Sequence, residues 1–257
     1  MQNWYNLPLY YDVSFSHEMS DELAFLKAVF RKYCKSTRPK LLEPACGTGR
    51  LIVPLARSGF DCTGFDLNEY ALDYLNRKLD KQELNVHIFN ADMTDFNVRP
   101  KHYDAAFCTV DTFRHLLLEK QVEQHLIKVS QALKKNGIYV LGLHLIPEKG
   151  RVRNSIIRWT NRRGGLTVKT SMTMLATDKQ KRTETLQVVL EPETKKTKDK
   201  YTSVYQLRTY TLKQLMKLLK KTAVFLVDSI FDEYYDLNNP ITLDAKSQYA
   251  VLILRKR

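Results

Sequence analysis

The stretch Lys40-Leu41-Leu42-Glu43-Pro44-Ala45-Cys46-Gly47-Thr48-Gly49-Arg50 decides how this chain of 257 residues folds. A short apolar run ends in a carboxylate, passes two glycines one residue apart, and enters the helical spacing of Leu51, Ile52 and Leu55. That order reads as a strand, a tight turn, and a helix whose N-terminus faces a ligand. Glycine belongs where the backbone needs positive φ or where a ligand comes close. Asp66 follows Gly49 by seventeen residues, at the end of a second apolar run, Phe60 to Phe65. An acid near that distance suits a ribose diol. A dinucleotide fingerprint would carry its third glycine at position 52, which holds Ile52. That glycine serves close helix–strand packing at a pyrophosphate site. The pattern therefore predicts a ligand with ribose and adenine but no phosphate.

Outward from this stretch, strand and helix patterns alternate. Leu23, Phe25, Leu26, Val29 and Phe30 give a helical spacing over 21–33. Strands are predicted over 40–44, 61–65, 85–89, 103–109 and 138–145. Helices are predicted over 50–57, after a cap at Asn68, and over 119–134, with Asn136-Gly137 as a turn. The βαβα order argues for a parallel sheet covered by helices on both faces. Beyond Pro147 the period changes, and 166–175, 183–190 and 203–210 read as three antiparallel strands. Thr211 is placed to cap a helix over 212–220, before strands over 223–231 and 248–254. The fold class is thus α/β: a Rossmann-like, mostly parallel sheet of seven strands plus a small antiparallel β insertion. Residues 1–36 form an N-terminal cap, 37–149 and 205–257 the ligand-binding domain, and 150–204 the insertion.

Hydrophobic residues at 44% and charged residues at 27% are ordinary for a globular protein with a full core. No apolar run reaches the roughly 18 residues of a membrane span, and residues 1–12 lack the basic-then-apolar order of a signal peptide. Cys34, Cys46, Cys62 and Cys108 form no C-x-x-C pair. They read as free thiols in a reducing cytoplasm, with no metal site. The net charge of +13 is uneven: residues 1–145 hold 18 Lys/Arg against 17 Asp/Glu, residues 146–257 hold 23 against 11. Two readings of this basic half stand, a solvated surface and a docking face for a polyanion such as RNA.

Glu43-Pro44-Ala45-Cys46-Gly47-Thr48-Gly49 resembles the first motif of class I S-adenosylmethionine (SAM)-dependent methyltransferases. The resemblance implies that Ala45, Gly47 and Gly49 lie along the methionine part of SAM, with Glu43, where most relatives carry Asp, near its ammonium. Asp66, followed by Leu67, would take the ribose hydroxyls. Asn90-Ala91-Asp92-Met93-Thr94-Asp95-Phe96 is similar to the family's GDM-x-D-F motif, which implies Asp92 on the adenine amino group and Met93 on the ring. The segment from Cys108 to Leu117 resembles the family's N-S-F-x-H-L stretch, with Asp111 in place of the usual Asn. It would border the sulfonium, with Thr109 among the cofactor contacts and Asp111 and His115 as candidates for catalysis. A lone histidine before two leucines also reads as a structural, hydrogen-bonded one. Tyr10-Tyr11-Asp12 resembles a YYD segment over the SAM pocket, with Tyr11 toward the cofactor and Tyr10 toward substrate. Arg208-Thr209-Tyr210-Thr211 resembles an R-x-Y-(S/T) lead-in to the last helix, with Arg208 and Tyr210 toward substrate. The implied activity is SAM-dependent methylation of nitrogen or oxygen on a small-molecule acceptor. Alternatives are an RNA methyltransferase, for which the usual Asn-Pro-Pro-Tyr segment is missing, and a SAM-binding protein without turnover.

Overall fold

The computed structural model describes residues 3–16, 20–148 and 156–257. Its helices are α1 (Pro8–Ser14), α2 (Ser20–Tyr33), α3 (Ile52–Arg57), α4 (Glu69–Asp80), α5 (Glu119–Ala132) and α6 (Leu212–Thr222). The strands are β1 (Lys40–Pro44), β2 (Asp61–Asp66), β3 (His87–Asn90), β4 (Tyr103–Cys108), β5 (Leu133–His144), β6 (Ile156–Arg163), β7 (Leu166–Asp178), β8 (Thr183–Glu193), β9 (Tyr201–Arg208), β10 (Phe225–Phe231) and β11 (Tyr249–Lys256). Seven of them form one sheet in the order β10-β11-β5-β4-β1-β2-β3. β11 is antiparallel to both its neighbours, and the other pairings are parallel.

Strands covered on both sides carry near-continuous apolar runs, and alternate residues go to opposite faces. In β4 and β5, Ala105, Phe107, Ile138 and Val140 pack with α2, α3 and α4. Their neighbours Ala106, Cys108, Tyr139 and Leu141 pack with α5 and α6. Asn68 caps α4 by accepting the Ala71 N–H at 3.1 Å, and Thr211 with Gln214 forms a capping box on α6. Among the described residues no helix is long and apolar enough to cross a membrane.

The absent third glycine has a structural counterpart. Ile52 is fully buried, and a Cβ added at Gly64 of β2 would lie 2.7 Å from its Cδ1 and 2.9 Å from Cys46 Sγ. The small residue that lets α3 approach the sheet therefore sits on the strand instead of the helix. Asn136-Gly137 is not a turn between elements but a bulge inside β5. The register to β4 slips between Tyr103 and Ala105, with Asn136 at φ 61°. Among the described residues the insertion has four strands, β6-β7-β8-β9, where the sequence predicts three. Strand β6 is the edge, exposed at most positions, so its residues show no apolar alternation to detect. A third, smaller core joins Trp4 and Val13 to Val168, Val188 and Leu190, tying the N-terminal segment to this second sheet.

Candidate active site

Strand β1 lies between β2 and β4, so the chain leaves it to opposite sides at successive crossovers. At such a switch point the loops beyond the carboxyl strand ends diverge and leave a crevice. A cavity of about 760 Å³ fills it, walled below by the tips of β1, β2 and β4. Trp4 and Tyr5 of a single 3-10 turn, Tyr11 of α1, and Met172, Leu186 and Tyr205 of the second sheet close it from above.

At one end the lining is Glu43, Ala45, Gly47, Asp66, Leu67, Asp92, Met93 and Thr109. Asp66 accepts the Gly47 N–H at 2.7 Å and the Asn68 N–H at 2.8 Å. Burial raises its pKa against the pull of these amides. Glu43 is 7% exposed, and its Oε2 has no hydrogen-bond partner among the described residues. Burial pushes its carboxyl well above the usual range despite Arg50 nearby, whose guanidinium is committed to Glu22. Thr109 Oγ1 is a second buried atom without a partner. Unpaired buried polar atoms are costly, and here two of them border one cavity. Asp92 accepts from Thr94 N at 2.6 Å and Oγ1 at 2.7 Å, which fixes its loop.

The other end is built on strain. Val110 and Asp111 have φ of 50° and 66°, the left-handed region for two successive non-glycine residues. Such positions cost about 1–3 kcal/mol each and persist only where the surroundings enforce them. Enforcement comes from Asp111, whose Oδ1 accepts the His144 backbone N–H at 2.9 Å. Its Oδ2 lies 2.8 Å from His144 Nδ1 and 3.0 Å from Arg114 Nη1. Burial opposes the charge on Asp111, yet Arg114 and His144 together hold it well below the usual carboxylate range. An ionised carboxylate only accepts, so His144 Nδ1 carries the hydrogen, and in the neutral ring Nε2 holds the lone pair. Burial works against protonation of His144, but the bond and charge of Asp111 win and raise its pKa.

His115 behaves oppositely. Burial pushes it down to about 4, and Nε2 shares a hydrogen bond of 3.0 Å with Tyr5 Oη. Its ring stacks on Tyr205 at 5.7 Å, inside an aromatic wall of Trp4, Tyr5, Tyr11 and Tyr205.

Twelve residues singled out by sequence thus split. Tyr11, Glu43, Ala45, Gly47, Asp66, Leu67, Asp92, Met93, Thr109, Asp111 and His115 meet at the cavity, while Gly49 lies behind it. A Cβ on Gly49, at φ +77°, would sit 2.3 Å from Leu75 Cδ1, so its glycine serves the turn and the packing of α4. Three further candidates lie elsewhere. Tyr10 stacks on Tyr201 at 5.8 Å, and Arg208 and Tyr210 border a separate recess. Strand alternation explains the last two: Leu207 faces the large cavity and Arg208 the other side. Sequence reasoning missed Trp4, Tyr5, Tyr205 and His144. His144 ends a strand beside the Asp111 loop, and that strand-end position was the available signal.

A parallel sheet with this switch point, a two-glycine turn and carboxylates at the tips of β1 and β2 defines the class I SAM-dependent methyltransferase fold. Residues 41–137 match the family model described as a methyltransferase domain. A protein of Geobacillus sp. (strain WCH70), named as a methyltransferase, is 29% identical over 121 residues, 47% of this chain and 49% of that protein. The chain spans about half the length of the curated relatives it matches. A SAM-dependent methyltransferase from Clostridium acetobutylicum superposes with a TM-score of 0.78 at 15% identity, covering 99% of each chain. The SAM-bound structure of an amino pentose methyltransferase from Micromonospora echinaspora superposes at 0.71 with 17% identity, over 94% and 95%.

Proposed function

We propose that this chain is a SAM-dependent methyltransferase acting on nitrogen or oxygen of a small molecule, with an amine favoured. The observation that carries this reading is the charge of the cavity. Among the described residues Asp66, Glu69 and Asp92 line it without an ion-pair partner, beside the buried Glu43 carboxyl and Asp111, which Arg114 balances, and the one lining guanidinium, Arg50, is paired with Glu22, within a chain of net charge +13. An acidic cleft draws in cationic ligands and repels a phosphate backbone. The aromatic wall adds cation–π attraction for an ammonium or a sulfonium.

When bound, SAM supplies a methyl group on a positively charged sulfur that needs no further activation to leave. The chain supplies binding, alignment and a place for a proton. Glu43, whose buried Oε2 is free of hydrogen bonds, would take the ammonium, Asp66 the ribose hydroxyls, Asp92 the adenine amino group, and Met93 the ring face. Ala45 and Gly47 would follow the methionine part. Alignment of this kind is worth up to about 7–11 kcal/mol. His144, with Nδ1–H fixed on Asp111, offers the Nε2 lone pair to the proton an acceptor ammonium must lose. His115, neutral and tied to Tyr5, orients the acceptor instead. The amine assignment is supported by the amino pentose methyltransferase of the same fold. Four free thiols, three of them buried, support a cytoplasmic setting.

Calorimetry with S-adenosylhomocysteine, NAD and ATP tests the cofactor: only the first should bind. Asp66→Ala should weaken it roughly hundredfold, the loss of two charge-assisted hydrogen bonds, with the circular dichroism spectrum unchanged. Methyl-labelled SAM should then label small amino sugars and not their deaminated analogues. Binding of NAD or ATP in place of S-adenosylhomocysteine would overturn the reading.

A further inference from the structure

We propose that a second cavity, of about 260 Å³, enclosed by α5, α6 and the β8–β9 end of the insertion, binds a compact oxyanion: inorganic phosphate or the phosphoryl group of a small monoester. It shares no lining residue with the large cavity, and the proposal does not rest on the methyltransferase reading.

Among the described residues, three buried polar groups border this recess without a hydrogen-bond partner: Arg182 Nε, Arg208 Nε and Tyr210 Oη. Two of them can only donate, and the third can donate. A chamber with three unsatisfied donors lacks an acceptor, and an oxyanion is a small body covered in acceptors. Arg208 is 6% exposed and Tyr210 1% exposed, so bulk water does not satisfy them. Both guanidiniums flank the Tyr210 ring, 5.4 Å and 5.7 Å from its centroid. Burial pushes the Tyr210 phenol up to about 12 even though Arg208 and Arg182 oppose it, so it stays a donor at neutral pH.

The local charge points the same way. Lys217 and Lys221 stand at the rim beside the two arginines. Glu119 is the one acidic lining residue, and it is shared among Arg182 at 3.6 Å, Arg208 at 3.4 Å and Lys221 at 3.2 Å. Lys221 also pairs with Glu123, so the Glu119 carboxylate is left to Arg182 and Arg208, and one negative charge does not balance two guanidiniums. Burial and the charge of Arg208 lower the pKa of Arg182, a like-charge strain that an anion would relieve. Arg182 also holds φ at 56°, and Thr209 N donates to its carbonyl at 2.8 Å. The left-handed turn is thus held where its side chain meets Arg208. The Nη groups of Arg208 serve Leu117 O and Glu119, and those of Arg182 serve Thr209 O and Glu119, so it is the Nε–H of each that is left to an oxyanion.

The test uses the full chain, titrated in separate arms with inorganic phosphate, ribose 5-phosphate and a short RNA at constant ionic strength. Amide chemical shifts are followed by NMR. Saturable shifts confined to Arg182, Thr209 and the first turn of α6 are expected from a small anion. Tyr210→Phe keeps the ring and removes one donor, and it should weaken binding roughly tenfold, the loss of one hydrogen bond to a charged group. Lys217→Gln, at the exposed rim, should weaken it about two- to threefold. Tighter binding of the monoester assigns the phosphoryl group of a metabolite, and equal affinities assign the bare oxyanion. No saturable response to either small anion, a response to RNA alone, or affinity unchanged in both variants would overturn the proposal.

Discussion

A buried carboxyl oxygen without a hydrogen bond is costly, and β1 places Glu43 Oε2 in that position at the mouth of a loop that two residues in left-handed geometry help to shape. Ala45 and Gly47 have φ of 53° and 54°. The paired groups across the cavity make the sharper prediction. His144 acts as a base only when neutral, and its pKa lies above the ordinary value of about 6.5 because of Asp111. Turnover of wild-type protein should therefore rise with pH through that raised value. Asp111→Asn removes the charge that favours imidazolium, so the rising limb should move to lower pH while kcat falls by about 10²–10³. His115→Asn should leave the limb in place, because His115 is already neutral above a pKa of about 4. A limb that ignores Asp111→Asn removes His144 from the role. Packing at Gly64 allows a second test. Gly64→Ala brings a methyl against Ile52 Cδ1 and should cost about 1–3 kcal/mol of stability in urea melts. Ile52→Val deletes that Cδ1, so the double variant should recover at least about 0.5 kcal/mol of coupling. Strictly additive losses would show that the two do not share space.

Helix α1 is held over the cavity by one carboxylate. Asp12 is 5% exposed and bonds Lys78 Nζ at 3.0 Å, Arg163 Nη1 at 2.7 Å, Tyr74 Oη at 2.9 Å and Thr48 Oγ1 at 3.1 Å. These partners come from α4, β6 and the glycine turn, so a single side chain joins α1, the second sheet and the turn after β1. Burial disfavours its charge, but Lys78 and Arg163 outweigh that and lower its pKa. A depressed pKa means the contribution is complete above the unfolded value of about 3.9 and disappears as pH falls through the folded one. Exposed pairs contribute about 1 kcal/mol or less and buried ones cost about 3–5 kcal/mol to break. With Arg163 43% exposed and Asp12 buried, Asp12→Asn should fall between, at about 1–3 kcal/mol. The loss should be present at pH 7 and shrink below pH 4 in denaturant titrations, and a constant difference at both would refute the linkage. Elements such as α4 and β1 to β5 were legible in the sequence because burial on fixed faces writes a period of 3.6 or 2 into it. The 3-10 turn at Trp4, the edge strand β6 and the Asp12 clasp were not. Their partners lie far away in the chain, as with Trp4 N on Ser203 Oγ at 2.8 Å, and no local period records such a pairing.

At the scale of the whole molecule, charge and cavity are of opposite sign, and this is the property no single motif revealed. The sequence showed the basic half as a surplus of lysine and arginine but not where it would face. Arg208 is the instructive case: alternation along β9 sends it to the recess behind the cavity, one residue after Leu207. A basic exterior around an acidic pocket separates two reactions by their salt response. Transfer to a small amine depends on contacts inside the pocket, where screening is weak. Its kcat/KM should change by less than about threefold between 50 and 200 mM salt. A strand of RNA held through about six phosphates would lose about 300-fold in affinity over the same range, from a slope of about −0.7 per phosphate. Labelled SAM offered together with a small amine and total RNA therefore gives a decisive contrast. Label should enter the amine at both salt concentrations and stay out of the RNA at both. Label that enters RNA at 50 mM and vanishes at 200 mM would mean that the exterior, and not the pocket, selects the acceptor.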